Sequence, residues 1–491
     1  MPQNGSSDSH ILIVGAGLMG PAAAFNALND PSVGRVTLVD VDEEKLRRVR
    51  DGMVGRDMMH HVPTHHTNNP TDRFHTRQHD LSDHEATVSL FRDADVVLTA
   101  LPWRATVLAV RAAIEAGVPL VDLAIPDDEE MALLREETEK AKGTILLGCG
   151  LEPGLTEIEA RRLAGMLDEV RSFDIMVGGI PEIPSGPLGY KIVFGGDQLP
   201  LRSIPALTLE SGERKNRPRY SGESRTEFAG VGRVEAWHEG IIPWLLDQPE
   251  MKELQDAMQR TIRWPNYAAK ARALNELGLL GTEPVQVGNG SVIPKELVDT
   301  LLRPHVTMEE GDRDITLFRV EVSGMRGGEP VTLKTEMVDR YDEATGFTSM
   351  GRTTAFTGAI FARMIAAGEI TFSGLRTPDE LITGGLYHRM IEELAKENIR
   401  FRTDEYSGEV GKFMNEEGLL KTLPSKRSKR DLVLHYLATY FDPEVEYSEN
   451  EVNRTLNGLH NFNDAAWLRR ELVDGGWFRR EPNGEKYRRS R

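Results

Sequence analysis

Gly15, Gly17 and Gly20 stand in the spacing G-x-G-x-x-G, and Asp40 follows twenty positions after the last of them. Together they describe a grip on a dinucleotide. Gly15 allows a tight turn, Gly17 lets backbone N–H groups approach a pyrophosphate, and Gly20 lets a helix pack close to the strand before it. Leu18 and Met19 lie in the same loop, at a helix N-terminus whose dipole favours an anion. Asp40 falls where a carboxylate meets the ribose 2′-hydroxyl and repels a 2′-phosphate. With Asp42, Glu43 and Glu44 close behind, NAD is the expected cofactor and NADP the less favoured one. A nicotinamide carries hydride, which leaves the protein to orient a substrate and manage a proton. Asp122 is the first candidate for that proton, Glu152 its close rival, and Cys149 the third group near them. The other reading of Asp122 is a cap for the chain just beyond a strand.

These residues need a sheet to hold them. Ile11 to Val14 form a short apolar strand, and an alanine-rich helix (Ala22, Ala23, Ala24, Ala27) leaves the glycine loop. Further strands are predicted at 35–40, 73–78, 96–100, 120–123 and 144–147, with a helix over 43–50. Alternation of strand and helix across residues 1–150 predicts an α/β fold with a Rossmann, doubly wound parallel sheet. Ligands in such sheets lie beyond the carboxyl ends of the strands. Asp80, Ala100, Leu101, Pro102, Asp122 and Cys149-Gly150 therefore border the same crevice as the glycine loop.

Gly148 to Leu155 makes a turn rich in glycine, with Pro153 near a helix start, suited to close approach by a ligand or simply to connecting strand and helix. Residues 151–345 read as a second α/β domain with a mixed or antiparallel sheet covering the cleft. Its strands are predicted at 173–177, 190–194 and 317–322, and 178–187 holds too many breakers for regular structure. Residues 346–400 form a helical return to the first domain, led by a glycine-punctuated helix at 348–367 whose small residues suit tight packing. That helix and an acidic surface also predict a homodimer.

Composition narrows the classes. A chain of 491 residues is too long for one core. Its net charge of −18 argues against nucleic acid as the main body's partner. No stretch is long and apolar enough for a membrane span. A single cysteine and a short polar N-terminus lead to the expectation of a reducing cytoplasm. His60, His61, His65, His66, His75, His79 and His84 cluster in sequence, but their surroundings suit a solvated loop better than a metal site.

Several separated motifs agree in order with a known family. Gly148–Leu155, Val177-Gly-Gly-Ile-Pro181, Pro187-Leu-Gly-Tyr-Lys191, Thr261-Ile-Arg-Trp-Pro265 and residues 345–354 resemble the saccharopine dehydrogenase family, nearest to its lysine 6-dehydrogenase branch. The resemblance spans residues 10 to about 400. It implies an NAD-linked oxidoreductase that acts on a C–N bond of an amino acid. It implies, too, that Asp122 and Cys149 line the substrate side of the nicotinamide, and it supports the homodimer. Tyr190, Lys191 and Arg263 are then candidates for binding the substrate's α-carboxylate. The chain departs from the family pattern at Pro200-Leu-Arg-Ser-Ile-Pro205 and Pro265-Asn-Tyr267, stretches expected beside the substrate pocket.

Residues 421–491 differ in charge, with 14 Lys and Arg against 11 Asp and Glu. Helices are predicted at 426–441, after the capping box Ser448-Glu-Asn-Glu451, and at 463–473, with a hairpin wing over 477–487 turning at Asn483-Gly484. This winged-helix-like module resembles a small domain family of unassigned function. Arg469, Arg470, Arg479 and Arg480 could touch phosphate, but protein or self-association is favoured over nucleic acid. The alternative function is an NAD(H)-binding redox sensor that acts through this module.

Overall fold

The structure, a computed structural model, describes residues 9–55, 70–193, 199–415, 419–481 and 485–490. The first sheet begins with β1 (Ser9–Val14), β2 (Val33–Asp40), β3 (Phe74–Gln78), β4 (Val96–Thr99), β5 (Leu120–Asp122) and β6 (Thr144–Leu147). The second takes β7 (Glu169–Pro181), β8 (Ala206–Glu210), β9 (Glu213–Arg217), β10 (Ser224–Phe228), β11 (Gly232–His238) and β12 (Asp256–Arg263). A small hairpin, β13 (Val285–Val287) and β14 (Gly290–Val292), precedes its long strands β15 (Asp314–Arg326) and β16 (Glu329–Arg340). The chain then returns to the first sheet as β17 (Gly374–Arg376) and to the second as β18 (Arg402–Ser407).

The first sheet is parallel, in the order β17-β6-β5-β4-β1-β2-β3. Its strand order reverses between β1 and β4, the switch point where a dinucleotide lies in such folds. Ile11, Leu12 and Ile13 are fully buried because helices cover both faces. The seventh strand, β17, was not expected. A three-residue Gly-Leu-Arg run carries no strand period, and only its place beside β6 makes it one.

In the second sheet β7 lies parallel to β12 and antiparallel to β15, so the sheet is mixed. Here β7 runs straight through Gly178 and Gly179 to Pro181, correcting the irregular reading of that segment. The glycines serve close approach: a Cβ on Gly178 would lie 2.3 Å from the Ile262 carbonyl oxygen, and one on Gly179 2.5 Å from Met350. Pro181 is tolerated because it closes the strand. Residues 190–193 form no strand, another correction; Ile192 instead donates its N–H to the Val306 carbonyl (2.7 Å). Phe194 lies outside the described residues.

The glycine-punctuated helix runs Ser349–Gly351, passes through a π-helical turn at Arg352–Phe356 and continues as Thr357–Ala366. Ala359, Ile360, Phe361 and Ala362 are fully buried, and a Cβ on Gly358 would meet Leu123 at 2.4 Å. The helix thus packs back on the first domain. Its apolar residues are covered within the chain, so it presents no apolar stripe to a second copy, and the homodimer loses that support.

The tail folds as helices Arg427–Ala438, Glu449–Asn457 and Ala465–Asp474 with a three-stranded sheet of β19 (Tyr447–Ser448), β20 (Phe478–Arg480) and β21 (Lys486–Arg489). The capping box forms: Ser448 Oγ accepts from the Glu451 N–H (3.3 Å) and Glu451 accepts from the Ser448 N–H (2.7 Å). Leu437, Phe441, Val452, Leu456 and Leu468 give the tail its own buried core. The hairpin turn at Asn483-Gly484 lies outside the described residues. Among the described residues no helix is long and apolar enough to cross a membrane.

Candidate active site

The glycine loop has the shape its sequence requires. Gly15 has φ of +107°, and a Cβ there would stand 2.6 Å from the Ala100 carbonyl oxygen, so β1 and β4 meet where a side chain would part them. A Cβ on Gly20 would collide with the Gly15 oxygen. Gly17 has no atom within 4 Å of its would-be Cβ, which leaves its face open for a pyrophosphate. Met19 caps the helix Gly20–Leu28 without a side-chain hydrogen bond, and Leu18 beside it is 44 % exposed. Asp40 shapes the loop itself, accepting from the Ala16 N–H (2.7 Å) and the Asp42 N–H (2.9 Å). Two acceptor sites on its carboxylate remain for a ribose. Asp80 sits at the same end of the sheet, exposed, its carboxylate taken by the Ser82 N–H (2.9 Å). Leu101 packs against Gly15, and Pro102 opens the helix Trp103–Ala116. These residues fit a dinucleotide, with amides for the phosphates and an acid for the ribose.

Beyond β6 the chain Gly148 to Gly154 folds tightly on itself. Gly150 donates to the Pro153 carbonyl (2.9 Å), Cys149 donates to the Asp122 carbonyl (2.8 Å), and the Glu152–Pro153 peptide is cis. A Cβ on Gly150 would press on Thr354 of the π-helical turn at 2.9 Å, while Gly351 at its start lies close to the Leu18 carbonyl. The π turn thereby links the glycine loop to this second loop.

Three acids and a thiol lie near the sheet's end, in different states. Asp122 is fully buried, bonded to the Thr99 hydroxyl and to the Ala124 N–H (2.7 Å). Burial lifts it to about 6 against those hydrogen bonds. It thus ties the chain just beyond β5, the capping arrangement. Cys149 is fully buried, and burial beside Asp122 holds its thiol in the neutral form. Glu157 is buried as well, accepting from the Gly154 N–H (2.6 Å) at the start of helix Leu155–Ala164. Glu152 alone of the four is partly exposed. It accepts from Gln259 Nε2 (2.5 Å), and its low-dielectric surroundings, with Glu239 and Glu157 near, raise it to about 8 despite that bond and Arg263.

The wall facing Glu152 comes from β12. Gln259, Thr261 and Arg263 alternate onto one face and are all buried. Thr261 donates to Glu239 (2.9 Å), which also pairs with Arg219. The Arg263 guanidinium stands 4.6 Å from the Tyr190 ring centre and 5.7 Å from that of Tyr267, and Trp237 stacks on Tyr267 at 6.0 Å. Here the Tyr190 and Tyr267 hydroxyls, Arg263 Nε, Gln259 Oε1 and Trp237 Nε1 are buried with no hydrogen-bond partner among the described residues. So many unmet groups in one place are costly unless something polar joins them.

Tyr190, Arg263 and Glu152 are therefore brought together. Lys191 is not: its Nζ donates to the Thr307 carbonyl (2.9 Å) and pairs with Asp312 (3.3 Å), because successive residues of an extended chain point opposite ways. Gln259, Thr261, Glu239, Tyr267 and Trp237 were missed. The signal available was a row of polar residues at alternate positions in a strand otherwise buried. His60, His61, His65 and His66 lie outside the described residues, while His79 bonds Thr87 (2.8 Å) and His84 pairs with Glu115 (2.7 Å). Among the described residues no group of His, Cys, Asp and Glu could hold a metal ion. In the tail, Arg469 is held by Asn453 and Glu449, whereas Arg470, Arg479 and Arg480 are exposed.

Known proteins match this architecture. A family model described as the saccharopine dehydrogenase NADP binding domain matches residues 11–146, and one for the saccharopine dehydrogenase C-terminal domain matches residues 150–399. A third, described as an uncharacterized protein conserved in bacteria, matches residues 419–489. The alpha-aminoadipic semialdehyde synthase of Arabidopsis thaliana is 28% identical over 150 residues, which cover 29% of this chain and 13% of that protein. The mitochondrial enzyme of that name from Bos taurus is 22% identical over 391 residues, covering 64% of this chain and 41% of its own. The chain thus spans less than half the length of these curated relatives. Apo saccharopine dehydrogenase (L-Glu forming) from Saccharomyces cerevisiae superposes with a TM-score of 0.66 at 16% identity, over 81% of this chain and 100% of that one, and shares its fold.

Proposed function

The chain belongs to the saccharopine dehydrogenase family, and from that premise we propose that it oxidises a carbon–nitrogen bond of an amino acid with NAD, as a saccharopine or lysine 6-dehydrogenase does. The observation that carries the reading is the pairing of Glu152, raised to about 8, with the Arg263–Tyr190–Tyr267 cage across one cleft. When bound, the nicotinamide supplies the hydride acceptor. Everything else falls to side chains. Arg263, braced by two aromatic faces, holds a substrate carboxylate, with the tyrosine hydroxyls completing its hydrogen bonds. Glu152 takes the proton from the substrate nitrogen, which must be uncharged before hydride can leave the neighbouring carbon. Gln259 fixes the orientation of that carboxyl. The reaction leaves an imine, which water cleaves or which closes into a ring. Asp122 and Cys149 support the floor beneath.

The acid at Asp40, rather than a cation, supports NAD as the cofactor. The names of the curated relatives support the saccharopine branch, in which hydrolysis of the imine yields a semialdehyde and glutamate. The test is to incubate the purified chain with NAD and saccharopine or lysine and follow NADH absorbance. A signal with saccharopine selects that branch, a signal with lysine selects the other, and silence with both removes both substrates.

A further inference from the structure

Strands β11 and β12 pair antiparallel, with Glu235 opposite Arg263 and Trp237 opposite Thr261. Directly opposed residues of such a pair share one face of the sheet. One step beyond the last matched pair, His238 and Arg260, the Glu239 N–H donates to the Gln259 carbonyl (2.9 Å), which sets Glu239 opposite Gln259. The Glu239 side chain therefore stands on the face that carries Gln259, Thr261 and Arg263. One of its oxygens accepts from the Thr261 hydroxyl (2.9 Å), two residues along from the amide that holds Glu152 (2.5 Å). Its other oxygen pairs with the buried Arg219, and Arg202 Nη1 lies 4.0 Å from it. Arg219 is anchored in turn, donating through Nε to the Ile204 carbonyl (2.7 Å). Arg202 and Ile204 belong to the stretch 200–205, where the chain departs from the family pattern. A carboxylate is thus held in place on the wall that faces Glu152.

We propose that Glu239 is a positioning residue for the oxidation: it fixes the β12 wall against Glu152 and, as a like charge in a low-dielectric cleft, makes Glu152 the stronger base. This role rests on the assignment of Glu152 as the base. Burial does most to hold the Glu152 proton, and among the charges that face it Glu239 acts most strongly in the same direction. Glu157 adds to it, while the Gln259 hydrogen bond and Arg263 oppose. Around Glu239 itself stand Arg219, Arg202 and the rings of Tyr220 and Tyr267. A general base works best when its proton affinity suits the working pH, and a second carboxylate on the opposite wall is a direct way to set it.

The test follows the Glu152 proton in two ways. Glu239→Gln keeps an acceptor for Thr261 and removes the charge, whereas Glu239→Asp keeps the charge. The rise of the oxidation rate, centred at about 8 in the parent, should move down by roughly one pH unit in Glu239→Gln and stay in place in Glu239→Asp. Carbodiimide labelling of Glu152, read by peptide mass mapping across pH, follows the same proton without substrate, because the protonated carboxyl is the reactive form. Its midpoint should move by the same amount. The double variant Arg219→Met with Glu239→Gln leaves no unpaired cation and should show the same displacement, should the single variant fold poorly. A labelling midpoint that stays in place in the folded variants overturns the proposal, since a merely structural Glu239 would leave it there. A midpoint that moves in protein oxidising neither saccharopine nor lysine supports the coupling of the two acids and removes the reaction read from them, so the two failures are told apart.

Discussion

Two regions of this molecule bury charge, and they do so in opposite ways. Beneath the tail, Arg319 binds Glu336 and the Glu227 carbonyl and lies 4.4 Å from the Phe228 ring centre. Lys334 donates to the Thr439 carbonyl (3.0 Å), and Arg402 reaches Glu336 (2.7 Å), Asp404 (2.8 Å) and that same carbonyl. Arg489 adds a pair to Asp404 (2.7 Å). None of these buried groups lacks a partner among the described residues. In the cleft, Tyr190, Tyr267, Arg263, Gln259 and Trp237 each keep a buried polar atom unmet among the described residues. Saturation marks this network of Arg319, Lys334, Glu336, Arg402, Asp404 and Arg489 as architecture, joining tail to sheet. Unmet hydrogen bonding marks the cleft as a place for a guest.

The contrast can be broken most sharply at Glu152. Glu152→Gln keeps the bond to Gln259 possible but removes the base, so turnover should fall about 10²–10⁴-fold with the melting temperature held. The rate of oxidation should also climb as pH rises through about 8, where Glu152 loses its proton, and the variant should lose that limb. A variant as active as the parent would end the case for Glu152.

Arg319→Met tests the other side. Removing the largest of Glu336's three cationic partners leaves its buried carboxylate under-compensated and the Glu227 carbonyl without its donor, at a cost of about 3–5 kcal/mol in urea unfolding, while the surviving folded protein keeps its turnover. The two regions should also answer acid differently. Burial pushes Glu336 up, but Arg319, Lys334 and Arg402 overcome it and hold it at about 2. Its stabilisation is therefore present above its ordinary 4.5 and lost as pH falls towards 2. Glu152, raised instead, favours the folded state below 4.5 and loses that contribution as pH climbs to about 8. Unfolding free energies across that range would separate them, and matching slopes would dissolve the contrast.

Asp40→Ala should weaken NAD by about 1.5–3 kcal/mol through one lost charge-assisted hydrogen bond. Fluorescence titration with NAD and NADP checks it, and an unchanged NAD affinity removes Asp40 from the cofactor site. Asp122→Asn sharpens the comparison from inside the cleft. With its oxygens held by Thr99 and Ala124, the change should cost about 1–3 kcal/mol of stability and leave turnover nearly intact. A rate loss as deep as that expected for Glu152→Gln would return the proton to Asp122.

Residue order alone determined the nucleotide half. Continuous apolar runs such as Ile11–Val14 can only be strands covered on both faces, and glycines at fixed spacing are needed locally, within a few residues of the atoms they avoid. The capping box at Ser448 and the alternation of strand and helix are likewise short-range facts, written where they act. Tertiary structure decided the rest. Gly178 and Gly179 read as breakers until Ile262 and Met350 come against them, and Gly374–Arg376 becomes a strand only beside β6. Which acid stays partly open to the cleft was decided the same way. Asp122 and Glu152 are both carboxylates near strand ends, and they differ through Thr99 on one side and Gln259 on the other, residues 23 and 107 positions away. A side chain's protonation and reach depend on what surrounds it, and those surroundings are assembled from distant parts of the chain.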